Sequence, residues 1–167
     1  MYRAKIIDLF ENYRVIDTGI DIKPDFDFID RPYVSWSGRG EHLIVSTSDL
    51  IKVYGMDANN SVDLFIHNGK YNRIPSSVSL SPMGTRLAFG VYDRNSEKVD
   101  LLDKRVLYVY DFINGELIRL GGLAYKSDDG MYSTAPPVWV DDDNLYDYST
   151  TTSKYLFNVI SREFTMQ

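Results

Sequence analysis

Ser79-Leu80-Ser81-Pro82-Met83-Gly84-Thr85-Arg86-Leu87-Ala88-Phe89 decides how this chain is read, because an earlier stretch repeats it. In Ser35-Trp36-Ser37-Gly38-Arg39-Gly40-Glu41-His42-Leu43-Ile44-Val45, the residues Ser35, Ser37, Gly40 and Leu43 hold the places of Ser79, Ser81, Gly84 and Leu87. A looser copy runs from Pro137 to Tyr146 through Asp141-Asp142-Asp143-Asn144. Self-similarity at this spacing marks one supersecondary unit stacked several times.

Working outward from the middle copy, alternating apolar and polar residues broken by Gly, Pro, Asn and Asp predict strands rather than helices. Val78 to Leu80 reads as a short inner strand and Pro82-Met83-Gly84 as the turn after it. Arg86 to Tyr92 is a second strand with Leu87, Phe89 and Val91 on one face, and Val106 to Phe112 a third. Asn114-Gly115 is a hairpin turn before a fourth strand, Glu116 to Leu120. The first unit places its strands at 33–36, 42–47, 51–56 and 62–67, and the last at 138–140, 145–149, 155–159 and 163–166. Residues 1–20 supply half a unit: Lys5 to Leu9 matches Tyr108 to Phe112, and Tyr13 to Ile16 matches Glu116 to Arg119.

Four-stranded meanders in series are how a β-propeller is written in sequence, one unit to a blade. Ser81 to Phe89, followed by Leu107-Tyr108-Val109-Tyr110-Asp111-Phe112-Ile113-Asn114-Gly115-Glu116-Leu117, resembles the blade repeats of WD40-like and TolB-like propellers. In that family a Ser-Pro-Asp-Gly turn follows the inner strand, and a Tyr-Asp or Trp-Asp pair ends the third. Here Met83 replaces the turn Asp, and Gly55 and Asn158 stand where Asp111 stands in the middle blade. The resemblance implies an all-β fold, a small or incomplete β-propeller of four-stranded antiparallel meander blades. The expected layout is a single domain over 1–167, with the half blade at 1–20 and blades at about 33–68, 77–122 and 137–167. Closed propellers carry at least about four blades. A minimal ring with one reduced blade, an open fan, and a fragment completed by a partner or second copy all fit. The initial Met and a complete-looking last strand favour a whole small protein.

The chain has 167 residues, enough for one domain with a real core. Its 14% aromatic share, with 13 Tyr, suits pleated strands. Net charge is −6, from 24 acids against 18 bases, which argues against direct nucleic-acid binding and permits a basic protein partner. With no Cys there is no disulfide or thiolate chemistry, and His42 and His67 alone cannot build a structural zinc site. No apolar run approaches the roughly 20 residues that span a bilayer. The N-terminus lacks the apolar core and cleavage site of a secretory signal, so the expectation is cytoplasmic, with no membrane partner.

No catalytic motif is present: there is no Gly-x-Ser-x-Gly elbow, P-loop, His-Glu-x-x-His or Gly-x-Gly-x-x-Gly. No catalytic residue, metal ligand or cofactor is therefore assigned. Gly38-Arg39-Gly40 reads as a turn between strands, and His42 and His67 as residues opening and closing strands. Asp141-Asp142-Asp143-Asn144 lacks the alternating acids and distal Glu of a calcium loop and reads as a turn. The longer connections are expected at 19–32, 69–76, 93–104 and 124–136, on the face that carries ligands and partners in the family. The candidate partner-binding residues there are Asp25, Phe26, Asp27, Phe28, Asp30, Tyr71, Asp93, Glu97, Asp100, Asp103, Tyr125, Asp128, Asp129 and Tyr132. Acids around aromatic anchors suit a basic protein, since charge steers encounter and buried rings supply affinity. Lys23, Arg31, Arg94, Lys98 and Lys126 partly offset them, and acids that merely keep loops soluble give the same pattern.

The leading functional expectation is a non-catalytic protein-binding module. Its sharper form is a small acidic immunity protein that neutralises a basic toxin such as a nuclease. A ligand-binding or accessory propeller domain of a larger protein is the alternative. A hydrolase with acids at the propeller channel ranks last, because no carboxylate pair stands out.

Overall fold

Antiparallel meanders form locally, each strand pairing with the next across a short turn. The computed structural model describes residues 2–8, 14–22, 33–47, 50–55, 60–66, 72–75, 78–94, 103–125, 136–148 and 154–166. Among them the chain is all-β, and no helix is long and apolar enough to cross a membrane.

Strands β1 (Tyr2–Asp8) and β2 (Arg14–Ile22) make a hairpin. The first full sheet follows chain order: β3 (Tyr33–Trp36), β4 (His42–Ser46), β5 (Leu50–Gly55) and β6 (Ser61–Ile66). The middle sheet holds β7 (Asn72–Pro75), β8 (Ser79–Leu80), β9 (Arg86–Arg94), β10 (Asp103–Asp111) and β11 (Glu116–Tyr125). The last sheet is β12 (Val138–Trp139), β13 (Asn144–Tyr148), β14 (Lys154–Asn158) and β15 (Phe164–Met166), again in chain order. These strands begin and end close to the expected positions. The first and last full units are four-stranded antiparallel meanders, and the middle one adds β7 to its four, with β7 and β8 both paired to β9.

Two differences stand out. Strand β7 lies in a stretch expected to be a connection, because Pro75 and the neighbouring polar residues read as a loop. Pro lacks a ladder N–H and tolerates only an edge, and β7 is the edge strand of its sheet, paired to β9 through Pro75 opposite Val91. Strands β2, β9, β10 and β11 also run further than expected. The connections begin or end inside them: 19–22 belong to β2, 93–94 to β9, 103–104 to β10 and 124–125 to β11. Lengthening all three middle strands together satisfies backbone donors and acceptors that loops would leave to water.

Register sets what each face meets. Leu87 lies opposite Tyr110, Ala88 opposite Val109 and Phe89 opposite Tyr108. Leu87, Phe89, Val91 and Tyr110 therefore share one face, which packs on Ile44, Ile51, Val53 and Leu64 of the first sheet. The other face, with Ala88, Leu107, Val109, Ile118 and Leu120, packs on Leu145, Phe157 and Val159 of the last sheet. The middle sheet is thus covered on both sides, which is why its strands are so apolar. Each fully buried Leu, Ile or Phe contributes about 1.5–3 kcal/mol, so the sheets are held face to face chiefly by these side chains.

In such a meander the first-to-second and third-to-fourth turns emerge at one end of each sheet, and the remaining connections at the other. The molecule therefore has two rims.

Candidate functional site

The turn-bearing rim is built from the repeated serines. Ser37 and Ser81 are both buried, and each hydroxyl accepts the backbone N–H that opens the next strand, His42 N and Arg86 N, at 3.2 Å. Gly40 N donates to Ser37 O and Gly84 N to Ser81 O, both at 2.8 Å. Closing these turns requires left-handed backbone at Gly40 (φ 68°) and Gly84 (φ 66°), which glycine adopts without steric cost. The two turns also touch: Gly38 N donates to Gly84 O at 3.2 Å, with the glycine backbones in close contact.

Between the middle and last sheets the rim is closed by charge. Arg86 opens β9, and its guanidinium donates to Asp111 Oδ2 at 3.4 Å, to Asp143 Oδ1 at 2.6 Å and to the Asp142 carbonyl. Met83 N donates to Asp142 Oδ1 at 3.1 Å, and Trp139 Nε1 to Ser79 O at 3.0 Å. Asp111 is 4% exposed and accepts Ile113 N at 2.8 Å and Asn114 N at 3.1 Å, capping the Asn114-Gly115 turn. Burial alone pushes its carboxyl pKa up, but the Asn114 and Ile113 N–H groups and then Arg86 outweigh it, and the net position is below the ordinary value. Burial likewise works against the Arg86 charge, and the bonds to Asp143 and Asp111 reverse that.

The acidic run is a turn. Asp141 Oδ1 accepts Asp143 N and Asn144 N, both at 2.8 Å, and Asn144 Nδ2 at 2.9 Å. The Asn144 side-chain bond, then the Asp143 N–H, hold the Asp141 carboxyl below its usual range. Asn158, in the place of Asp111, donates to Asn144 Oδ1 at 2.9 Å and accepts Ser161 N at 2.8 Å, so it too caps its turn. Among the described residues no group of three His, Asp or Glu side chains is arranged to hold a metal ion.

The first junction differs. His42 stands where Arg86 stands, and Gly55 removes the carboxylate that Asp111 supplies. His42 stacks on Phe112 with ring centroids 5.0 Å apart, and its Nδ1 is buried without a hydrogen bond. Beside this stack lies a cleft of about 220 Å³ bounded by Ser37, Arg39, Glu41, Gly84, Thr85 and Ile113. Gly38-Arg39-Gly40 and His42, taken strand by strand, do not reveal the cleft; its signal in the sequence is the loss of both Arg and Asp from the first repeat.

Of the expected partner-binding residues, Asp93, Asp103 and Tyr125 are described; they lie at the opposite rim and fall in strands, not in loops. Asp103 is directly opposite Tyr125, and Asp93 is opposite Lys104, so the three sit at one end of the middle sheet. Arg73 is also opposite Asp93, and two basic residues thus stand among these acids. Asp25, Phe26, Asp27, Phe28, Asp30, Tyr71, Glu97, Asp100, Asp128, Asp129 and Tyr132 lie outside the described residues.

No family model matches the chain, and no curated protein does. Among solved structures it is similar to dipeptidyl peptidase 4 of Porphyromonas gingivalis, with a TM-score of 0.56 and 12% identity. That match covers 91% of this chain and 26% of the peptidase chain. The fold is a small or incomplete β-propeller. A protein from Lactobacillus plantarum also matches, with a TM-score of 0.43 and 13% identity, over 99% of this chain and 47% of that one. The chain thus spans about a quarter of the first of these proteins and about half of the second.

Proposed function

We propose that the chain is a non-catalytic protein-binding module, and in its most specific form a small acidic cytoplasmic immunity protein that covers a basic toxin such as a nuclease. The observation that carries this reading is the register at the far rim, where Asp93, Asp103 and Tyr125 stand at one end of a sheet buried on both faces. Backbone already paired in a sheet has less to order on binding than a free loop. The net charge of −6 and the absence of a catalytic motif point the same way. The finer WD40-like assignment belongs to this reading too, and rests on the Ser81-to-Gly84 turn and on Asp111 as its partner cap.

The test is capture of partners from the source cells, with binding then measured on the purified pair. A basic protein is expected at one-to-one stoichiometry, with association that slows steeply as salt rises. Reversing charge with Asp93→Lys and Asp103→Lys together slows association by about tenfold at low salt. A partner whose association ignores both salt and these substitutions defeats the reading. A second reading, an accessory propeller domain, draws on the match of 91% of this chain to only 26% of a peptidase chain. A longer parent reading frame would favour it.

A further inference from the structure

The same position of the repeat is satisfied differently at the two junctions. At the second, Arg86 meets Asp111 and Asp143 and the rim is closed. In the last blade, Asn144 at that position bonds the Asp141 carboxylate. In the first blade His42 has no carboxylate partner, and a cleft of about 220 Å³ remains where the neighbouring junction is filled by side chains. Burial of Nδ1 with no acceptor beside it favours the tautomer that carries the ring proton on Nε2, because an unmet buried N–H is costly. The edge of the ring left to meet the cleft is then a hydrogen-bond donor.

We propose that this cleft binds a free α-amino acid, whose carboxylate takes the place of the acid missing from the first repeat. His42 and Arg39 receive the carboxylate. Glu41, exposed on the same turn, receives the ammonium, and it is the reason a zwitterion fits better than a bare anion. Phe112 and the exposed Ile113 form the apolar wall for the ligand side chain. The volume is below that of pockets for drug-sized ligands, about 300–1,000 Å³, and so suits one amino acid. The site lies on the rim opposite the proposed protein-binding one, and either can fail without the other.

The chain has two histidines, His42 and His67, so carbon-detected ring signals resolve the site with an internal control. The purified full chain is titrated separately with leucine, glycine, propionate and inorganic phosphate. Leucine is expected to shift His42 and leave His67 unmoved, saturating at about millimolar concentration. Propionate, lacking the ammonium, binds more weakly. Arg39→Ala weakens leucine binding by about tenfold, the loss of one charge-assisted hydrogen bond, and Glu41→Gln abolishes the preference for leucine over propionate. His42→Phe keeps a ring to stack on Phe112 and removes both nitrogens; it is expected to fold, by its far-ultraviolet spectrum, and to lose leucine-dependent thermal stabilisation. The proposal is overturned by an unmoved His42, by equal responses to leucine, propionate and phosphate, or by an Arg39→Ala chain that binds leucine as before.

Discussion

Gly40 and Gly84 occupy the same place in successive turns, with φ of 68° and 66°, yet an added Cβ meets opposite surroundings. At Gly40 nothing lies within 4 Å. At Gly84 the Cβ collides with Gly38 Cα and N, which are backbone atoms of the neighbouring sheet and cannot rotate away. Gly40→Ala therefore carries only the left-handed cost of about 1–2 kcal/mol. That cost is partly offset by about 0.4–1 kcal/mol from a stiffer unfolded chain, for a net loss near 1 kcal/mol. Gly84→Ala carries the same term and also forces the two turns apart. It loses the Gly38 N to Gly84 O hydrogen bond, worth about 1 kcal/mol. Displacement of this kind also forfeits a quarter to a half of the contact energy of the atoms it separates, bringing the total to about 3 kcal/mol. Urea unfolding reads the difference. With a slope of about 2 kcal/mol/M, the midpoint falls by roughly half a molar for Gly40→Ala and one and a half molar for Gly84→Ala. Gly38→Ala supplies a third point, since its Cβ meets Gly84 Cα at 2.7 Å and its φ lies outside the left-handed region. Coincident midpoints for Gly40→Ala and Gly84→Ala would refute the claim that the sheets meet backbone to backbone here.

Three further outcomes follow from the rim and the core. Arg86→Met is expected to cost about 2–3 kcal/mol, because Asp111 and the Asp142 carbonyl lose a donor; Asp143→Asn, at 53% exposure, costs under about 1 kcal/mol. A double-mutant cycle on Arg86 and Asp143 isolates their coupling, and a coupling larger than either single loss refutes this division. Because the Asp111 pKa is lowered by folding, its charge contributes stability that is complete above the ordinary carboxylate value of 3.8 and is lost as pH falls through the folded value. Asp111→Asn should flatten stability against pH below the ordinary carboxylate value, and an unchanged acid limb counts against the assignment. Phe157→Ala, at a site with 0% exposure between the middle and last sheets, is expected to cost about 3–5 kcal/mol by equilibrium unfolding, and a loss under 1 kcal/mol removes it from the core.

Local features are legible from the residues alone. Ser81 to Gly84 and Ser37 to Gly40 were legible as turns because their backbone needs a hydroxyl acceptor and a residue free to take positive φ. Leu87, Phe89 and Val91 were legible as one face because strand side chains alternate. Asn114-Gly115 was legible as a hairpin because few residue pairs turn a chain so tightly. The candidate site was legible only as composition: acids and aromatics in connections, of which Asp93, Asp103 and Tyr125 proved to be strand ends.

Tertiary structure alone decided which neighbour each face met, and therefore which rim carries chemistry. The Arg86 bond to the Asp142 carbonyl, the Met83 bond to Asp142 and the Trp139 bond to Ser79 join residues 56, 59 and 60 positions apart. Periodicity within a strand holds no information about contacts at that separation. The same limit hid the cleft at His42. Its walls come from the first turn of one sheet and from two turns of the next, and the space between them exists only once the sheets are stacked.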